Sequence, residues 1–195
     1  RWRWRADHGD FATDSGDVMA EHVVIASGMW SRQLGLTAGA DLPLQACEHF
    51  YIVTEPLPGL DPNLPVLRDP DNCAYFKEAA GKLLLGACEP NAKPWALDGI
   101  PEDFEFGELS DDFEHFEPIL EAAIKRLHAL ETVGIRKFFN GPESFTPDVR
   151  YLLGETPDVR SLFVAAGFNS IGIQSAGGAG KALVEWIVAG HAPMD

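Results

Sequence analysis

Apolar residues fall along this chain in two kinds of run. Val23-Val24-Ile25-Ala26 and Phe163-Val164-Ala165-Ala166 are short and continuous, the pattern of strands covered on both faces. Each leads through glycine into apolar residues at helical spacing. Gly28 opens Met29-Trp30-Ser31, where a short helix is expected with Ser31 as its N-cap. Gly177, Gly178 and Gly180 precede Ala182-Leu183-Val184-Glu185-Trp186-Ile187-Val188, and Gly190 stands where that helix would stop. Strand, glycine, turn and helix are thus expected twice, at 23–36 and 162–188, with a glycine-rich loop before the second helix. Such a loop has two readings. It is either an anion- or carbonyl-binding turn at a helix N-terminus or a tight strand–helix junction.

The middle of the chain alternates differently. Residues 44–54, 73–79 and 82–88 read as strands, and Ala80-Gly81 as the tight turn between the last two. Strands so close in sequence pair antiparallel. Ile119, Leu120, Ala123, Ile124, Leu127 and Leu130 mark one face of a helix. A capping box at Asp111 and Glu114 is expected to start it, with Pro118 in its first turn. A strand over 133–140 is expected to end at Gly141-Pro142. Near the N-terminus, strands at 1–5 and 11–13 are expected to join at His8-Gly9-Asp10. A second turn is expected at Asp14-Ser15-Gly16-Asp17, and an apolar strand over 18–28. The predicted fold class is α/β plus α+β. Residues 43–150 form an antiparallel sheet domain carrying a long helix, inserted between the two pieces 1–42 and 151–195 of an α/β domain.

Composition narrows the function. The 195 residues are 46% hydrophobic with a mean hydropathy of −0.07, which suits a globular core. No apolar run approaches the roughly 20 residues of a membrane span, so no membrane insertion is expected. The alternating Arg1-Trp2-Arg3-Trp4-Arg5 is no signal peptide and reads as a strand already under way, which leads us to expect a fragment of a longer chain. A net charge of −15 argues against nucleic acid and anionic membranes as partners. From Asp98 to Glu121 acidic residues recur without a Lys or Arg; they form either a solvated face or a functional one. Cys47, Cys73 and Cys88 lack metal-like spacing. They read as reduced thiols of a cytoplasmic protein, or a matrix one if the source is mitochondrial. No metal site, P-loop or nucleophile elbow is found.

Five stretches together resemble one family. They are Ala26-Ser27-Gly28-Met29-Trp30; Glu48-His49-Phe50-Tyr51-Ile52-Val53-Thr54; Leu64-Pro65-Val66-Leu67-Arg68-Asp69 with Tyr75-Phe76; Asn140-Gly141-Pro142-Glu143-Ser144-Phe145-Thr146-Pro147-Asp148; and 163–181. In that order they resemble the FAD-dependent amine oxidoreductases of the D-amino-acid-oxidase superfamily, and within it the dimethylglycine and sarcosine dehydrogenase group. The family's G-x-G-x-x-G turn for the ADP half of FAD does not occur here.

The resemblance implies an FAD cofactor, with folate as a further cofactor of the full-length parent. It implies that 1–42 and 151–195 belong to the FAD-binding domain and 43–150 to a substrate-binding lid. The expected substrate is a small N-methylated amino acid, oxidised at its C–N bond and demethylated; the electron acceptor is left open. His49 and Tyr75 would face the substrate. Gly28, Trp30, Asn169, Ser170, Ile171, Gly172, Ile173 and Gln174 would line the flavin. For His49 the alternative is a hydrogen-bonded strand histidine, and for Tyr75 an aromatic on a buried sheet face. Gln174 stands near where some relatives carry a substrate-holding Lys, so the carboxylate anchor is unassigned, with Arg68 and Lys77 as candidates. His22, His115 and His128 are read as structural. Two other readings stay open: a glycine- or D-amino-acid-type oxidase, and a non-catalytic remnant acting as a binding module. The 195 residues alone are expected to bind FAD weakly or not at all and to be inactive.

Overall fold

A computed structural model of the chain describes residues 2–5, 8–13, 15–88 and 90–193. Asp14, placed by the sequence in a turn, lies outside these, as do Arg1 and the Met194-Asp195 end. In chain order the strands are β1 (Trp2–Arg5), β2 (His8–Thr13), β3 (Gly16–Ala20), β4 (Val23–Ile25), β5 (Gln45–Thr54), β6 (Leu67–Asp69), β7 (Ala74–Ala79), β8 (Lys82–Ala87), β9 (Ile135–Phe145), β10 (Leu152–Glu155) and β11 (Leu162–Ala166). The α-helices are α1 (Ser31–Ala38), α2 (Phe113–Arg126) and α3 (Gly172–Ala189). Two compact units result. Unit 1 comprises Arg1–Ala46, Ala96–Glu102 and Glu143–Asp195; unit 2 comprises Cys47–Trp95 and Asp103–Pro142. The architecture is the mixed α/β and α+β one that the pattern predicts.

In unit 1, β4 and β11 pair in parallel, Val23 opposite Leu162 and Ile25 opposite Val164, and β10 joins β11 antiparallel. Ile25, Leu162 and Val164 are buried with Leu42, Leu44 and Ala166; β11 also buries Phe163 on its other face, whereas β4, expected to be covered on both faces, leaves Val24 43% exposed. The predicted strand over 18–28 is split at Glu21-His22. Its first part is β3, which pairs with β2 in a separate antiparallel sheet of β1, β2 and β3. His8-Gly9-Asp10 is not the expected turn. Those residues lie inside β2 and pair with Arg5, Trp4 and Arg3 of β1.

The larger correction concerns α3. The helix starts at Gly172, so Gly177, Gly178 and Gly180 lie inside it rather than in a loop. Each glycine costs a helix roughly 1 kcal/mol relative to Ala. Burial of Ala179 and Leu183 and an 18-residue length carry the helix past that cost.

Unit 2 is a five-stranded sheet in the order β6-β7-β8-β5-β9 with α2 on one face. Alternation along β5 sends Phe50, Ile52 and Thr54 inward and leaves His49, Tyr51 and Val53 half-buried on the other face. Phe50, Ile52, Phe76, Leu85 and Phe116 form the core, at about 1.5–3 kcal/mol for each large side chain removed from water. The Ala80-Gly81 turn has φ of 53° and 78°, the left-handed pair of a two-residue hairpin.

Three expectations shift here. The N-cap of α2 is Asp112, not Asp111; its carboxylate accepts from the His115 N–H at 3.0 Å. Pro118 lies inside α2 rather than in its first turn. Pro118 and Glu114 are both exposed, so the carbonyl that the proline leaves unbonded reaches water. β9 runs through Gly141-Pro142 to Phe145. It is the sheet's edge strand, where a missing proline N–H leaves no ladder bond unmade.

Candidate functional site

The turn after β11 is shaped by its backbone. Gly167, Asn169 and Ser170 have φ of 67°, 50° and 70°, a left-handed cluster that non-glycine residues adopt only when their surroundings hold them there. A Cβ on Gly167 would lie 2.5 Å from the Thr146 methyl and 2.6 Å from Leu44. Asn169 is the clasp. Its Oδ1 accepts from the Thr146 N–H at 3.0 Å, and its Nδ2 donates to the Gly167 carbonyl at 2.6 Å and to Thr146 Oγ1 at 3.1 Å. Ser170 Oγ donates to Glu143 at 2.6 Å. The Asn169 side chain is therefore committed within the protein, and the stretch presents main chain together with the exposed side chains of Ile173 and Gln174.

That main chain ends as the N-terminus of α3. Ile171 at its N-cap position makes no side-chain bond, and no acidic residue lies in the first turn. The first helical bond is from the Ser175 N–H to the Ile171 carbonyl, so the N–H groups of Gly172, Ile173 and Gln174 open the helix. An uncapped, acid-free N-terminus offers donors and a positive dipole end, which fits the carbonyl edge of a flavin ring and charge developing on it. β4 runs parallel to β11 in register, so Gly28 and Trp30 follow the same edge of the same sheet. Gly28 turns with φ 57° and Trp30 is exposed. Ser31, expected as a cap, is instead buried in the first turn of α1 with its Oγ 3.1 Å from Ser27 Oγ. On another side of α3, Tyr151 stacks on Phe168 at 4.9 Å beside an open cavity of about 460 Å³ that Gln174 and Lys181 also line.

His49 and Tyr75 belong to unit 2 and share one face of its sheet. Tyr75 on β7 is opposite Gly86 on β8, and Gly86 is opposite Tyr51 on β5. Directly opposed residues project to the same side, and His49 is two positions from Tyr51, hence on that side too. Gly86 is the reason Tyr75 can lie flat: a Cβ there would fall on the Tyr75 ring. The face continues on β9, where Phe139 stacks on Tyr51 at 4.5 Å and 19°, with Lys137 Nζ 5.3 Å from the Phe139 centroid. Glu108 bonds that ammonium at 2.7 Å and holds its pKa above the usual lysine value. Arg68 on β6 is opposite Tyr75. The sequence singled out His49 and Tyr75 but not Tyr51, Phe139 or Gly86. The H-x-Y spacing on β5 was the available signal for Tyr51. Phe139 joins only through strand order.

A buried polar network stands behind the other face. Asn140 Nδ2 donates to Glu48 at 2.6 Å and to the Ser110 carbonyl at 2.8 Å. Lys93 bridges Glu48 at 3.3 Å and Asp112 at 2.7 Å. The bond to Asp112 raises the Lys93 pKa, and Lys93 together with the His115 N–H lowers that of Asp112. Part of the acidic stretch is thus structural, while most of it is exposed. Among the described residues no three His, Cys, Asp or Glu are grouped to hold a metal ion, and no helix is long and apolar enough to cross a membrane.

Comparison with known families fits this geometry. The family described as FAD dependent oxidoreductase matches residues 2–186. The chain belongs to that family. It is 45% identical over 94% of its length to 4-methylaminobutanoate oxidase (formaldehyde-forming) of Paenarthrobacter nicotinovorans, covering 22% of that protein. Against the pyruvate dehydrogenase phosphatase regulatory subunit of Mus musculus the figures are 42%, 92% and 21%. Against sarcosine dehydrogenase of Mus musculus they are 38%, 94% and 20%. The likeness to the sarcosine dehydrogenase group is therefore present, alongside relatives of other kinds. Among solved structures, glycine oxidase from Geobacillus kaustophilus aligns over the whole chain and 48% of its own, with a TM-score of 0.74 and 27% identity. The chain spans about a fifth of the length of these curated relatives and about half of glycine oxidase.

Proposed function

We propose that this chain is part of an FAD-dependent enzyme that oxidises the C–N bond of an N-methylated amino acid and releases the methyl carbon as formaldehyde. Unit 1 serves as its part of the FAD-binding domain and unit 2 as its substrate-binding domain. The observation that carries the reading is the shared face of His49, Tyr51 and Tyr75, with Gly86 clearing space for the Tyr75 ring. The name of the 45% identical relative, an oxidase of a methylamino acid that forms formaldehyde, supports the substrate class. Bound FAD supplies the two-electron oxidant.

The residues do the rest. The turn at 167–174 and the Gly28–Trp30 turn position the cofactor by main-chain groups, and the α3 N-terminus favours negative charge there. His49 and Tyr75 meet the substrate amine. A phenol O–H or ring N–H that donates a hydrogen bond to the nitrogen lone pair, or a ring nitrogen that takes the amine's proton, favours the neutral amine that C–N oxidation requires. The aromatic wall of Tyr51 and Phe139 offers an apolar surface to the methyl group; once the C–N bond is oxidised, water adds to the iminium carbon and the C–N bond breaks, giving formaldehyde and the demethylated amine.

The test uses the full-length protein. Its flavin is expected to bleach anaerobically on adding sarcosine, dimethylglycine or 4-methylaminobutanoate, with formaldehyde released. If none of the three bleaches it, the reading fails. A second reading is favoured by one specific observation, the 42% identity to a regulatory subunit: the chain is then a binding module without turnover. That reading expects a protein that shows no flavin reduction with any amine.

A further inference from the structure

We propose that Cys73 and Cys88 form a peroxide-sensitive dithiol, which hydrogen peroxide closes to a disulfide across the β7–β8 hairpin. The three cysteines are thiols in this structure, and their spacing in sequence does not mark any two as a pair. Strand register does. Ala74 is opposite Ala87. The next pair outward is Cys73 with Cys88, whose N–H donates to the Cys73 carbonyl at 2.8 Å. Residues bonded across an antiparallel pair have Cα atoms about 5.5 Å apart, inside the range of about 4.4–6.8 Å that a disulfide spans.

The turn that ends in Cys73 is fixed on its other side. Asn72 donates to both oxygens of Asp69, from its N–H at 3.3 Å and from Nδ2 at 2.9 Å. Asp69 is buried and paired with Arg126 at 2.9 Å. Cys73 leaves this turn at φ 54°, a conformation that a non-glycine residue keeps only where its neighbours impose it. Held between the Asp69 knot and the Cys88 N–H, it stays beside its partner.

Access and charge separate this pair from the third thiol. Cys88 is exposed and Cys73 half-buried, while Cys47 is buried, and buried thiols are inert. Cys88 Sγ lies 3.6 Å from Arg68 Nη2 in an exposed contact. A guanidinium beside a thiol favours the thiolate, the form that attacks an oxidant. Solvent weakens that effect here and gives peroxide its way in. Cys73 Sγ lies 3.9 Å from the Pro70 carbonyl, a weak contact that opposes little to rotation toward Cys88.

The chemistry takes two steps. The Cys88 thiolate attacks one peroxide oxygen. The O–O bond breaks, the sulfur becomes a sulfenic acid, and the hydroxide that leaves takes a proton from solvent to become water. Cys73 then attacks that sulfur. The S–O bond breaks, the S–S bond forms, and the second oxygen leaves as water with the Cys73 proton. Flavin oxidases release hydrogen peroxide, so the proposed function offers one source of the oxidant, but the site does not depend on it.

The experiment treats the native full-length protein with equimolar hydrogen peroxide, alkylates the remaining thiols and maps the peptides. The parent is expected to lose the Cys73 and Cys88 thiols together and to give a cross-linked peptide within one chain, released by dithiothreitol. Cys73→Ser is expected to stop at the Cys88 sulfenic acid, trapped by dimedone. Cys88→Ser is expected to leave Cys73 reduced and open to alkylation. Over-oxidation of Cys88 to the sulfinic acid without a cross-link, a cross-link formed only after denaturation, or both thiols still alkylated overturns the pair. No amine substrate is added, so failure here leaves the proposed function standing, and a protein that oxidises no amine can still show the disulfide.

Discussion

Gly167 and Gly86 each keep a space open, for opposite purposes. At Gly167 the absent Cβ lets the main chain turn left-handed against Thr146 and Leu44, so that the backbone itself is what unit 1 presents. At Gly86 the backbone is ordinary strand, and the absent Cβ makes room for the ring of a neighbour. Unit 1 offers amide groups fixed by chain geometry, while unit 2 offers side chains fixed by strand register. Under the proposed function the difference follows from the ligands. A flavin ring is recognised by donors at set positions, which main chain supplies with little freedom to lose. A small amine needs groups that exchange or share protons, which only side chains supply.

The comparison predicts where each half breaks. The largest effect is expected for Gly167→Ala. Left-handed strain and a clash with packed, branched neighbours together cost about 3 kcal/mol or more, and the full-length protein should lose flavin content as well as thermal stability. Retention of parent-like flavin content would place the cofactor elsewhere. Next come the side chains of unit 2. His49→Ala and Tyr75→Phe should lower turnover on the order of 10²-fold with flavin content kept. Gly86→Ala should do the same by displacing the far end of the Tyr75 ring. If Gly86→Ala unfolded the protein instead, the contrast between the two glycines would collapse.

A smaller effect tests the scaffold behind the face. Asp112→Ala removes the α2 cap and is expected to cost about 1 kcal/mol, read as faster hydrogen exchange in α2. Asp112→Asn keeps the cap and loses only the pairing with Lys93. Because the Asp112 pKa is lowered by Lys93 and the His115 N–H, its contribution is complete above the ordinary carboxylate range. It fades as pH falls through the lowered value in the folded protein. The raised Lys93 pKa makes its share complete below the ordinary lysine value and lost as pH rises through the raised one. The Asn variant should flatten both limbs of the stability profile. The smallest effect is expected for Ser170→Ala, under about 0.5 kcal/mol with flavin content unchanged, since only an exposed bond to Glu143 is lost.

These residues also show what was legible in sequence. Two strand–glycine–helix passages were readable because a short, continuous apolar run that stops at glycine marks a strand, although only β11 is covered on both faces and β4 leaves Val24 exposed. The start of α3 was not, since three glycines within residues 177–180 look like a loop and become helix only when Ala179 and Leu183 have a core to enter. The capping-box pattern pointed to Asp111 with Glu114, while the cap is Asp112, which has His115 three residues on and so lacks that pattern. Lys93, far along the chain, bonds the Asp112 carboxylate. His49 and Tyr75 were singled out by the family resemblance. The face that joins them depends on register between strands separated by long loops, which no local pattern encodes.

The parallel pairing of β4 with β11 has a consequence for how the molecule is made. Val23 and Leu162 are opposite one another yet about 140 residues apart along the chain, so closing that loop in an unstructured chain is entropically costly. All of unit 2 lies between them, and its hairpins need only local contacts. We expect unit 2 to form first, during or soon after synthesis, and to shorten the loop before β11 docks. A mutation in the unit 2 core would then slow the assembly of unit 1, and its first symptom would be a nascent protein that cannot close around its cofactor.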